Sequence, residues 1–144
     1  MEHDAAIAGL REAFQTIGKR FTSQRQRIWE LFAAHPAGLT ISEAAEGVRN
    51  GGIGHTTVYR TVKELTELGY LQWVHDRDGE HRYIAGRGGH SHPLVCRGCG
   101  RVLLIDCQGM STLHKLIAVQ TGFIVDGHHL EVFGTCPDCQ ARLG

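Results

Sequence analysis

The apolar positions in the first half of the chain recur at helical spacing. Ile7, Leu10, Phe14 and Ile17 share one face of a helix over about residues 4–17. Ser23 with Gln26 three positions on has the form of a capping box, and it opens a second helix carrying Ile28, Leu31 and Phe32. Thr40 with Glu43 repeats the signal ahead of Ile41, Ala44, Ala45 and Val48. After Gly51-Gly52, Val58, Val62, Leu65 and Leu68 form one stripe over residues 55–68, and Gly69 ends it. The period then changes. LQWVHDRDGEHRYIA (residues 71–85) reads as two short strands around Asp76-Arg77-Asp78-Gly79, a hairpin. Four helices and a hairpin is the order of a winged helix-turn-helix with an extra leading helix.

Gly86-Arg87-Gly88-Gly89 follows, and three glycines in four residues predict a hinge. The chain then divides into residues 1–85, the hinge 86–89 and residues 90–144. Beyond the hinge, HPLV and VLLI read as short strands flanking Cys96-x-x-Cys99. Residues 110–121 suit a helix with Leu113, Leu116 and Ile117 inward, and FIVDGHHLEVF (123–133) reads as a strand or bent strand pair. Helices and strands are segregated along the chain, which gives an α+β fold class.

Composition narrows the function. The 144 residues are 42% hydrophobic, enough for one ordinary domain or two small ones. No apolar run reaches the roughly 18 residues of a membrane span. The start MEHDAAIAG lacks the apolar stretch of a secretory signal, so a cytoplasmic protein without membrane association is expected. Fifteen basic and fifteen acidic side chains cancel and leave no global attraction to nucleic acid. Locally, residues 18–29 hold Lys19, Arg20, Arg25 and Arg27 and no acid.

Cys96, Cys99, Cys107, Cys136 and Cys139 all lie in the last third. In a reducing compartment, paired C-x-x-C spacings point to metal before disulfide. Each turn can place two thiolates on one tetrahedral ion, so Cys96, Cys99, Cys136 and Cys139 are expected to form a four-cysteine zinc site. Such a staple ties the last strand back to the first. In a domain of about 55 residues with a small core, it contributes much of the folding free energy.

That assignment leaves His90 and His92 needing other partners. On extended chain both imidazoles leave the same face, about 7 Å apart at the backbone, close enough to chelate one ion. Two ligands bind weakly. The remaining candidates are His128 or His129, Cys107, Asp106 and His114, and the residues alone do not choose among them. Isolated histidines such as His3, His35 and His75 need no role.

The order winged helix, hinge, H-x-H, C-x-x-C, helix, H-x-L-E-x-x-G-x-C-x-x-C resembles the ferric uptake regulator superfamily of metal-sensing repressors. The resemblance covers nearly the whole chain. Its most specific pieces are GHTTVYRTVKELTELG (54–69), similar to the family's recognition helix, and HHLEVFGTCPDC (128–139), which looks most like the zinc-sensing branch. The resemblance implies an N-terminal winged-helix domain, a C-terminal α/β dimerisation domain, and a homodimer that binds palindromic double-stranded operator DNA when metal-loaded. It implies that Cys96, Cys99, Cys136 and Cys139 hold a structural zinc, and that His90, His92 and His128 belong to a regulatory site near the hinge. The family's further ligand there is commonly an acid, whose position is Ser111 in this chain. Some members carry a cysteine after the second strand of that domain, close to Cys107. The expected regulatory set is therefore His90, His92, Cys107 and His128. Positions of an additional family site read Ser91, Pro93, Gly38 and Leu39, which leaves two metals per chain. A thiolate with imidazoles suits zinc better than ferrous iron, so zinc is expected in the regulatory site, with iron sensing and then peroxide sensing as alternatives.

A helix fits the major groove, and the face opposite the apolar stripe of residues 55–68 offers Thr57, Tyr59, Arg60 and Lys63. Arg60 can contact guanine through two hydrogen bonds, while Lys19, Arg20, Arg25 and Arg27 would hold phosphates and Arg77 at the hairpin tip would approach the flanking groove. Rival classes fit less well. His129-Leu130-Glu131 ahead of Cys136-Pro137-Asp138-Cys139 only superficially resembles a zinc deaminase, because the proline follows the cysteine and Cys96 and Cys99 gain no purpose. A cysteine hydrolase built on Cys107 has no oxyanion-hole signature, and a zinc-ribbon adaptor would not need the TTVYR helix. The chain is expected not to be an enzyme and to take no small-molecule substrate.

Overall fold

In the computed structural model, residues 1–76, 78–88 and 90–144 are described. They fall into two units, Met1–Gly89 and His90–Gly144.

The first unit is assembled from the apolar stripes. α1 (Glu2–Thr16) buries Ile7, Leu10 and Phe14, and α2 (Ser23–Ala33) buries Ile28, Trp29 and Phe32. The cap of α2 is Thr22 and not Ser23. The Thr22 hydroxyl accepts the Arg25 amide, and Gln26 bonds Glu30 instead of closing a capping box. Thr40 caps α3 (Ile41–Val48) as expected, accepting the Glu43 amide at 3.1 Å. A 3-10 turn, Arg49–Gly51, leads to α4 (His55–Glu67), and α3, turn and α4 form the helix-turn-helix. β1 (Leu71–His75) and β2 (His81–Ala85) pair antiparallel, from Leu71 opposite Ala85 to His75 opposite His81. Asp76 Oδ1 organises their turn by accepting the amides of Asp78 and Glu80. Leu39 exchanges two backbone hydrogen bonds with Tyr83, and Arg82 forks onto the Glu43 carboxylate, so the hairpin is fastened to the start of α3. Arg77, expected at the hairpin tip, lies outside the described residues.

Two glycines of the expected hinge are hydrogen-bonded to the residues between α4 and β1. The Gly86 amide donates to the Tyr70 carbonyl at 2.8 Å, and the Gly88 amide to the Gly69 carbonyl at 3.2 Å. Gly88 has φ +84°, and a Cβ there would meet the Tyr70 ring at 2.8 Å, so this position demands glycine. Through Gly88 the segment is bonded to the first unit; Gly89 lies outside the described residues.

The second unit is a three-stranded sheet in the order β4-β3-β5. β3 (Ser91–Cys96) pairs antiparallel with β4 (Val102–Asp106) and parallel with β5 (Val132–Gly134). α5 (Met110–Thr121) lies in the chain between β4 and β5, and α6 (Pro137–Leu143) follows β5. The expected strand over 123–133 shrinks to its end, because Asp126 and Gly127 break the extended pattern. α5 contains no buried residue: Leu113, Leu116 and Ile117, expected inward, are 45%, 54% and 37% exposed. The sheet likewise leaves Leu103, Ile105 and Phe133 exposed, so the apolar positions of helix and strands do not cover one another within this unit. Among the described residues, those buried in this unit are His92, Pro93, Cys96 and Cys139. All but Pro93 are metal-ligand types, so apolar burial alone is a weak reason for the unit to fold.

Candidate metal centres and nucleic-acid interface

β3 separates two clusters of ligand atoms. Cys96, Cys99, Cys136 and Cys139 gather at its C-terminal end, and His90, His92, Cys107 and His128 at its N-terminal end. In each cluster the four ligand atoms all lie within 4.8 Å of one another. Six residues of extended chain from position 90 to 96 span roughly 20 Å, so no single ion can serve both.

The cysteine cluster is built by backbone. The Cys96 amide donates to the Arg101 carbonyl and the Gly100 amide to the Cys96 carbonyl, forming the knuckle that carries Cys99. β5 runs beside β3 with Gly134 opposite Cys96, which delivers Cys136 and then Cys139 at the start of α6. The Sγ atoms of Cys99 and Cys136 are 3.8 Å apart. Tetrahedral coordination at about 2.3 Å per Zn–S bond separates sulfurs by ~3.8 Å. The Cys136 amide donates to Cys96 Sγ at 3.2 Å, and with the amides of Cys99 and Gly98 it brings the Cys96 pKa down to about 6. The neighbouring sulfurs of Cys136 and Cys96 push Cys139 up to about 12. A divalent cation resolves that conflict by letting all four ionise, so the donor set fits zinc. Gly98 leaves the room: a Cβ there would stand 2.9 Å from Cys139 Sγ.

The histidine cluster is built by register. Ser91 pairs with Asp106 and His92 with Ile105, so Cys107 at the end of β4 comes beside His90 at the start of β3. His128 enters from the irregular segment before β5. Its Nε2 lies 2.8 Å from His90 Nε2, 3.0 Å from His92 Nε2 and 3.4 Å from Cys107 Sγ. Zinc at tetrahedral bond lengths would spread such donors to ~3.3–3.6 Å, so the cage is slightly contracted around the right centre. Burial, then the neighbouring His90 and His128 imidazoles, lowers the pKa of His92, and its hydrogen bond to the Leu130 backbone only partly offsets this. Burial, then His90 and His114, lowers that of His128. Both rings are thereby kept neutral, the form that binds metal. Of the two candidate histidines, His128 lies in the cluster, while His129 lies 3.4 Å from Glu131. Asp106 is outside the cluster. His114 is outside it too, bonded to the far nitrogen of His128 at 2.9 Å.

On α4, Val58, Thr61, Val62, Glu64 and Leu65 are buried. Tyr59, Arg60 and Lys63 are exposed in line with Thr56, whereas the expected Thr57 is half-buried on the flank. The four expected phosphate-binding cations separate into two kinds. Arg20 and Arg27 are exposed or nearly so, with Arg27 lying over Gly51. Lys19 and Arg25 instead grip the buried Glu64 carboxylate, at 2.8 and 3.0 Å. Burial acts to raise the Glu64 pKa, but the hydrogen bonds from Lys19 and Arg25 outweigh it and the net shift is downward. Arg25 also stacks over Phe14, so it fastens α2 to α4 and α1. The buried Glu64 was missed from sequence. It falls on the apolar stripe, three positions after Thr61, and a carboxylate there calls for cationic partners.

Residues 16–133 match the pattern of the Ferric uptake regulator family. The chain belongs to that family. It is 31% identical to the ferric uptake regulation protein of Neisseria meningitidis serogroup C, covering 99% of this chain and 98% of the relative. It is 33% identical to the zinc uptake regulation protein of Mycobacterium tuberculosis, covering 86% and 97%. A zinc uptake regulator solved in complex with zinc and DNA shares the fold at TM-score 0.81, with 19% identity over 99% of this chain and 98% of that one. The protein is thus a metal-responsive transcription regulator and not an enzyme. Among the described residues, no helix is long and apolar enough to cross a membrane.

In this member of the family, Ser111 offers no ligand comparable to an acid, while His114, three residues on along the same face of α5, reaches His128. Ser91 is paired in β3 with Asp106, and the adjacent Pro93 is fully buried.

Proposed function

We propose that the protein is a zinc-responsive repressor that binds palindromic operator DNA in the cytoplasm as a homodimer when its regulatory site is loaded. The carrying observation is the cage of three imidazoles and one thiolate at the head of β3, separate from the four cysteines at its foot. One soft sulfur with three borderline nitrogens favours zinc over ferrous iron, which goes with more oxygen donors. In this reading Cys96, Cys99, Cys136 and Cys139 hold a structural zinc, and His90, His92, Cys107 and His128 hold the regulatory one.

His90 and His92 at the start of β3, Cys107 after β4 and His128 before β5 would hold the ion, which would link these segments. The chain does the rest. His90 is the first residue of the second unit, so fixing it fixes where the chain enters that unit. A dimer reads a palindrome only if its two recognition helices stand about one helical turn, ~34 Å, apart. Restricting the entry point narrows the range of spacings. Tyr59, Arg60 and Lys63 of α4 meet base edges, and Arg20 and Arg27 meet phosphates. With no net charge, one copy binds DNA weakly, so two copies are needed. The exposed Leu113, Leu116 and Ile117 of α5 and Leu103 of β4 supply the apolar surface for a second copy.

The test is operator binding by fluorescence anisotropy, with the zinc of the four cysteines retained and a second equivalent of zinc or ferrous iron added. Zinc is expected to tighten binding, and DNA must tighten zinc binding by the same factor. Tightening by iron alone would reject the zinc assignment.

A further inference from the structure

The side of His128 that faces away from the cage is held by α5. His114 Nε2 lies 2.9 Å from His128 Nδ1, with the rings 72° apart. Both nitrogens of His128 are therefore engaged, Nε2 towards His90, His92 and Cys107, and Nδ1 towards His114. A histidine that offers its Nε2 lone pair to a metal carries its proton on Nδ1 and needs an acceptor there. The backbone at Leu130 bonds His92. For His128 the acceptor is His114 Nε2, which puts the proton of His114 on its own Nδ1.

The same bond has a second effect. α5 buries no residue, so packing holds it only loosely to its unit. The Thr121 hydroxyl bonds within the last turn of the helix and to the Phe123 amide just beyond it, whereas the His114 ring reaches across to the cage. This imidazole pair ties the helix to the metal cage.

We propose that His114 is the positioning residue of the regulatory site, aiming Nε2 of His128 into the cage and thereby securing α5 to it. This rests on His90, His92, Cys107 and His128 forming that site. The tie is different from a fifth ligand, because His114 addresses the nitrogen of His128 that points away from the other donors.

The experiment compares wild type, His114→Leu, His114→Gln and His92→Ala, each with the zinc of its four cysteines retained. Affinity for the second zinc is measured by chelator competition, coordination by the cobalt(II) spectrum, and α5 by amide hydrogen exchange with and without zinc. His114→Leu is expected to lower zinc affinity roughly 10–100-fold. It should also abolish zinc-dependent protection of residues 110–121 while the saturated cobalt spectrum stays as in wild type. His114→Gln, whose amide oxygen accepts the same proton, is expected to recover most of the affinity. Unchanged affinity in His114→Leu overturns the proposal, as does a changed cobalt coordination, which would make His114 a ligand. Nitrogen chemical shifts of the zinc-loaded wild type give a check independent of any variant: the His128 proton must sit on Nδ1, and finding it on Nε2 overturns the proposal. If His92→Ala also binds zinc like wild type, the regulatory site itself is misassigned and the proposal falls with it.

Discussion

The Nε2 atoms of His92 and His128 stand 3.0 Å apart although 36 residues separate them in the chain. Their meeting depends on β5 running parallel to β3, with Leu94 opposite Val132, which brings the segment before β5 to the head of β3. Neutral imidazoles aiming lone pairs at one point repel each other, and a cation between them converts that repulsion into attraction. Replacing His92 with alanine should therefore leave the fold and the zinc of the four cysteines in place, and reduce the metal content by one zinc per chain. Elemental analysis alongside circular dichroism checks this. Loss of both metals together would mean the clusters are not independent.

The foot of β3 should behave in the opposite way. Cys96→Ser removes the sulfur that collects the amides of Cys136, Cys99 and Gly98. The second unit is then expected to lose its zinc and its cooperative melting transition, since its burial is otherwise slight. Gly98→Ala is a milder probe, because the new Cβ would press on Cys139 Sγ at 2.9 Å. It should weaken zinc retention against a chelator without altering any ligand.

Glu64 makes the first unit sensitive to acid. Its pKa is lowered in the fold, so the stability it contributes is present above the ordinary value of 4.5 and is lost as pH falls through the lowered one. Glu64→Gln keeps the shape and removes the charge, at a cost of about 1–3 kcal/mol from the weakening of its three charge-assisted hydrogen bonds, one from Lys19 and two from Arg25. Denaturant melts at neutral pH should register that loss, and the difference from wild type should shrink as the pH falls below 4.5 and through the lowered native pKa.

DNA binding should separate the arginines. Arg60→Ala is expected to cost roughly 1–3 kcal/mol of operator binding and to relax preference at one base pair. Arg20→Ala should weaken all sequences alike and reduce the salt slope by about one. Arg25→Ala should act mainly through stability, because its guanidinium is spent on Glu64 and Phe14. Titrations of operator and scrambled duplex at several salt concentrations distinguish the three patterns.

The helices and the hairpin were readable because each writes its period plainly, as in Val58, Val62 and Leu65 of α4. The cysteine cluster was readable from its two chelating pairs, and His90-x-His92 announced a second cluster, but Cys107 and His128 were chosen as its members only through the family resemblance. Other features were not legible. The cap of α2 shifted to Thr22, since Thr22 and Ser23 both have capping side chains and geometry alone selects one. A strand was expected over 123–133 because the apolar residues outweighed Asp126-Gly127 in the pattern, whereas in the fold those two residues confine it to its end. The apolar side of α5 looked like a core face, and a periodicity cannot say whether the surface it meets belongs to the same chain. The support from His114 was hidden because a contact to the back of a ligand has no spacing rule.

Putting the two cages at opposite ends of one strand lets the molecule be reset. On the proposed assignment, an ion could leave the head of β3 while the foot kept the unit folded, so a starved cell would retain a ready-made receiver. Recovery would then take only the time of diffusion and capture, with no need to synthesise or refold the protein.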